Sequence, residues 1–97
     1  MTVGVLLLRL HIPGSQSLKG KRGVIKSLMA RVQQRYNVSV AEVGGQDLWQ
    51  SAEIGISCVS NSEPHAREML ERVLRFVEGE RLDVDVVDYE LDVLRVR

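Results

Sequence analysis

From Val3 to Ile12 the chain reads VGVLLLRLHI, apolar at almost every position until Arg9 and His11. This run is well short of the ~20 apolar residues that span a bilayer. It also has neither the positive leader nor the small-residue cleavage site of a secretory signal. It reads as a strand in the middle of a sheet, with Gly4, Leu6, Leu8, Leu10 and Ile12 on one face and Val3, Val5, Leu7, Arg9 and His11 on the other. Apolar residues on both faces require that both be covered, at least near the start. A chain of 97 residues makes one domain, residues 1–97, so everything else must be arranged around this strand.

Pro13 and Gly14 stop the strand, and Ser15 or Ser17 caps the first helix. Leu18 to Tyr36 places Leu18, Ile25, Leu28, Met29, Val32 and Tyr36 at helical spacing, one apolar face of an amphipathic helix. Val38 to Val43 is a short strand, Gly44-Gly45-Gln46-Asp47 a turn, and Trp49 to Ser60 a returning strand with Ala52, Ile54, Ile56 and Cys58 inward. Asn61-Ser62-Glu63-Pro64 opens a second helix, whose stripe of Ala66, Met69, Leu70, Val73 and Val77 closes at Gly79. The last strand, Asp83 to Val96, alternates Val87, Tyr89, Leu91 and Val93 with Asp88, Glu90 and Asp92. The pair Val86-Val87 breaks parity once and predicts a bulge. The order βαββαβ predicts an α+β, ferredoxin-like sandwich: a four-stranded antiparallel sheet in the order 4-1-3-2 with both helices on one face.

The formal net charge is zero, but its distribution is uneven. Residues 1–41 hold seven of the thirteen Lys and Arg and no acid, whereas all thirteen Asp and Glu lie from Glu42 onward. Lys19, Lys21, Arg22, Lys26 and Arg31 load the first helix with cations, several of them at an N-terminus whose free N–H groups already carry partial positive charge. Gly20 and Gly23 each cost about 1 kcal/mol relative to alanine inside a helix, which either opens the backbone to an approaching ligand or allows close packing on the sheet. These observations predict an anion-binding or nucleic-acid-binding surface on Lys19, Lys21, Arg22, Lys26 and Arg31. The segment GSQSLKGKR is not a nucleotide phosphate loop, because its glycine spacing is one residue too long and Arg22 replaces the magnesium-binding hydroxyl.

The topology places the end of the first strand beside the hairpin, so His11, Glu42, Gln46, Asp47 and Trp49 are expected along one rim with the helix start. Trp49 reads as a lid over the hairpin, with an exposed contact as the alternative. His11 near Glu42 or Asp47 has the makings of an acid–base pair, but a histidine at a strand end is more often structural, and no catalytic residues are assigned. His11 and His65 are isolated and Cys58 stands alone, so neither a metal nor a cofactor is expected. Cys58 reads as a buried thiol in a reducing, cytoplasmic setting. If the even-numbered residues of the first strand face the helices, Val3, Val5 and Leu7 form an apolar face, for which a second copy of the chain is the simplest cover.

Three segments, HIPGSQSLKGKR, VSVAEVGGQDLWQ and the VSN before the second helix, closely resemble the YlxP-like family of small bacterial proteins. The resemblance runs over nearly the whole chain. It implies a ferredoxin-like fold, a cytoplasmic location and genes that often neighbour those of a translation initiation factor and a ribosome-binding factor. It supplies no catalytic residues. The combined expectation is a non-enzymatic homodimer that meets structured RNA or a ribosomal particle through the first helix and the rim. The alternative is a domain that binds or acts on a phosphorylated small molecule at the same rim.

Overall fold

The computed structural model describes residues 1–80 and 84–97. Its elements are β1 (Thr2–His11), α1 (Leu18–Arg35), β2 (Ser39–Gly44), β3 (Ser51–Ser60), α2 (Glu63–Gly79) and β4 (Asp85–Arg95). The strands form one sheet in the order β2-β3-β1-β4, with antiparallel neighbours throughout. Read from the other edge this is 4-1-3-2, the ferredoxin-like arrangement. The expected start of the last strand at Asp83 lies outside the described residues.

Strand parity explains where the core sits. Leu6, Leu8, Leu10 and Ile12, along and just past β1, are buried, as are their neighbours Ala52, Ile54, Ile56 and Cys58 on β3. Over them lie Ile25, Leu28 and Val32 from α1 and Ala66, Leu70, Val73, Leu74 and Val77 from α2. Gly4 is where α2 comes closest: a Cβ there would stand 2.8 Å from Leu70 Cδ1 and 3.0 Å from Cys58 Sγ. The β1–β4 register shifts between Arg9 and Leu10, so Val87 is passed over and left exposed, the bulge that the repeated valine predicted.

Two features differ from the sequence-based expectation. The strand predicted from Trp49 begins at Ser51, and residues 45–50 form a turn. Gly45 takes a positive φ of 75°, a conformation suited to glycine, and Leu48 N–H closes onto its carbonyl at 3.0 Å. The sheet is also covered on one face only. Val3 and Leu7 are half-buried by their strand neighbours and Val5 is 36% exposed, with nothing among the described residues laid over them.

Candidate functional site

At the start of α1, the Ser17 hydroxyl accepts a hydrogen bond from Gly20 N–H at 3.0 Å, and no acidic side chain occupies the first turn. The cations of this helix separate into groups with different fates. Lys21 falls on the apolar stripe, four residues before Ile25, and is fully buried. Its Nζ donates to the carbonyls of Gly45 at 2.6 Å and Ser51 at 3.1 Å, with Gln46 O at 3.4 Å. Glu42 Oε2 lies 3.3 Å away as its counter-charge, without a well-aligned donor of its own. This corrects the expectation for Lys21. Lys21 is not available to an outside anion, and Glu42 points to the helix side of the sheet, where it neutralises Lys21.

Lys19, Arg22 and Lys26 are exposed. At about 100° per residue they share an arc of roughly 60° on the outer face of α1. Among the described residues no carboxylate lies within ion-pair distance of any of the three. Arg31 sits on the flank turned towards α2, where it binds Glu80 at 2.8 Å, so it does not join them. Gly20 and Gly23 are exposed beside the cations, and a Cβ on Gly23 would meet nothing within 4 Å. Close packing on the sheet therefore does not account for these glycines.

The end of β1 meets the β2–β3 loop, as the topology requires. Ile12 N–H donates to Gln50 O at 2.8 Å, and the Gln50 amide reaches Ser15 O at 3.2 Å, tying the hairpin to the loop before α1. Gln46 and Asp47 are exposed in the turn. Trp49 is 56% exposed and so is Leu48, which overturns the reading of Trp49 as a lid. Lys21 holds the turn from below, and the aromatic ring is left on its surface. His11 lies on the uncovered face of the sheet, 3.9 Å from Asp85 Oδ2, rather than beside Glu42 or Asp47.

That face carries the acids. Arg9, near the end of β1, binds Asp88 at 2.9 Å, Glu90 at 3.5 Å and Glu53 at 3.8 Å. Next to it a shallow trough of about 830 Å³ runs over Val5, Leu7, Ala41, Val43 and Gly55 to a margin formed by Glu90 and Asp92. A smaller depression of about 350 Å³ lies between Leu48, Arg9, His11, Glu53 and Val87. Part of the sequence's charge asymmetry thus becomes a cationic face of α1 and an acid-rich open sheet, while Glu63, Glu68, Glu71 and Glu78 lie on α2. Cys58 is buried, and desolvation pushes its thiol pKa up, so it is a poor nucleophile. Among the described residues, no group of three or more His, Cys, Asp and Glu is placed to hold a metal ion. No helix among them is long and apolar enough to cross a membrane.

The Lys21 hub was legible in principle. The apolar stripe has a gap one turn before Ile25, and Lys21 is the residue that fills it.

A de novo designed protein with a ferredoxin fold, LFR1 1, superposes with a TM-score of 0.51 at 15% identity, covering 97% of this chain and 83% of the design, a likeness of fold alone. The uncharacterized protein YlxP of Bacillus subtilis (strain 168) is 47% identical over 63 residues, which is 65% of this chain and 68% of that protein. The model of a family described as a protein of unknown function, DUF503, matches residues 3–91. The chain belongs to this YlxP-like DUF503 family.

Proposed function

We propose that the protein is a non-enzymatic module of the bacterial cytoplasm that binds structured RNA, in particular a ribosomal particle, through the outer face of α1 and the adjoining rim. The observation that carries this reading is the unpaired, exposed set Lys19, Arg22 and Lys26 beside the bare backbone of Gly20 and Gly23. Phosphate contacts ask for cations on a firm element and a surface that lets the backbone come close. The alternative places a phosphorylated small molecule at the same rim; the depressions of the open sheet do not suit one, because Arg9 there is already engaged by Glu53, Asp88 and Glu90.

Binding to purified ribosomal particles across a salt series tests the reading. Three phosphate contacts give a slope of log K against log salt of about −2 to −3, and each of Arg22→Glu and Lys26→Glu lowers its magnitude by about one. Binding that ignores both salt and these substitutions refutes it. Lys21→Glu is unsuited as a control, since it buries a carboxylate next to Glu42.

A second copy of the chain is the proposed cover of the open sheet face around Val3, Val5 and Leu7. A twofold axis along the strands lays β4 of one copy over β2 of the other and keeps Asp88, Glu90 and Asp92 away from their equivalents. An axis across the strands stacks acids on acids and is disfavoured.

A further inference from the structure

We propose that Trp49 is a base-stacking platform, so that the surface selects RNA with an unpaired nucleotide next to the phosphates held by α1. The inference rests on the RNA-binding reading and adds the class of RNA that the site takes.

Three observations carry it. First, Leu48 and Trp49 are each 56% exposed in the β2–β3 loop. An exposed tryptophan presents a large flat surface that stacks on any base. Second, the loop is held in a fixed shape at considerable cost. Burying an ammonium is unfavourable unless its charge and protons are matched. Lys21 nevertheless gives up solvent to donate to the carbonyls of Gly45 and Ser51, the two ends of the turn that carries Leu48 and Trp49. Gln50, next in sequence to Trp49, adds a second tie to Ser15 O at 3.2 Å. The restraint stabilises the fold, and it also favours stacking, because a platform binds more tightly when it is ordered in advance. Third, the turn holds Asp47, which repels a phosphate, so the loop suits the face of a base and leaves the backbone to Lys19, Arg22 and Lys26. Lys21 and Gln50 tie this loop to the start of α1, which brings the platform to the end of the helix that carries Lys19 and Arg22.

Trp49 is the sole tryptophan, so its fluorescence reports on the contact directly. The protein is titrated with an RNA stem bearing a single-stranded loop and with a blunt duplex of equal phosphate count, following emission and, separately, anisotropy of labelled RNA. The loop RNA is expected to quench Trp49 and to bind more tightly than the duplex. Trp49→Ala is expected to lower loop-RNA affinity by about 5- to 150-fold, the equivalent of ~1–3 kcal/mol per stacked base. Trp49→Phe is expected to keep most of the preference, and the blunt duplex, whose binding neither variant should change, controls for folding. Salt-dependent binding of both RNAs with equal affinity, or loop-RNA affinity unchanged in Trp49→Ala, overturns the stacking role while leaving the cationic surface standing. Absence of salt-dependent binding to either RNA overturns the cationic surface and the platform together.

Discussion

Replacing Lys21 by methionine nearly keeps the length and volume of the side chain and removes the ammonium. The Gly45 carbonyl still accepts from Leu48 N–H, but it and Ser51 O each lose a donor, at about 1 kcal/mol apiece. The larger loss is at Glu42, whose carboxylate is left without its counter-charge. Removing one partner of a buried pair costs ~3–5 kcal/mol. The Glu42 side chain is 20% exposed and regains some water, which places that cost at the lower end. The substituted side chain also gains from burial of an apolar tip, so the net expectation is a loss of about 3 kcal/mol. For a domain of this size that lowers the melting temperature by roughly 12–24 °C. Urea titration followed by circular dichroism measures the loss. Lys21→Met combined with Glu42→Gln is expected to recover at least about 1 kcal/mol, since the unpaired charge is then gone. If the single variant lies within about 1 kcal/mol of the wild type, or if the double variant is no more stable than the single, Lys21 is not a structural cation.

Gly23→Ala is expected to stabilise the protein by about 0.5–1 kcal/mol, because the added methyl meets no atom and the helix gains propensity; thermal melts that show a loss refute this. Cys58 should react with thiol reagents only as the protein unfolds, so labelling in native buffer as fast as in urea is the contrary result. Because burial raises its pKa in the folded state only, its contribution to stability is full below the ordinary thiol value, about 8.5, and is lost as pH rises through the higher native value. Sedimentation of the wild type should give a dimer and of Val5→Asp a monomer; a monomeric wild type at tens of micromolar removes the second copy from the open face.

The elements and their order were legible because the two periodicities alternate without ambiguity. Leu6, Leu8 and Leu10 at period two, and Ile25, Leu28 and Val32 at helical spacing, each allow one arrangement. The meeting of the β1 end with the β2–β3 loop was legible too, since topology alone requires it, whereas the turning of His11 to the open face was not. The sequence hid the partners of individual charges. Lys21 and Arg22 are neighbours with the same charge, yet about 100° of helix rotation sends one into the core and the other into solvent. Arg31 shares the basic helix but not its outer arc, and Glu80, its partner, lies 49 residues away. Pairing across such distances is a product of packing, which no local pattern records. The exposure of Trp49 is hidden for a related reason: size and hydrophobicity suggest a lid, whereas the turn is already closed from beneath by a lysine.

The same separation of charge bears on how a polyanion would be met. Long-range attraction from a chain with zero net charge is weak, and screening limits any local field to about 8–10 Å at physiological salt. The face of α1 therefore gathers no ligand from afar; it acts once contact is made. In the proposed dimer the acids of the open sheet lie against the second copy, so the orientation of an encounter is set by the arc of Lys19, Arg22 and Lys26. For the RNA partner proposed above, three such cations give a modest and salt-sensitive affinity, so any selectivity has to come from what the rim adds beside them.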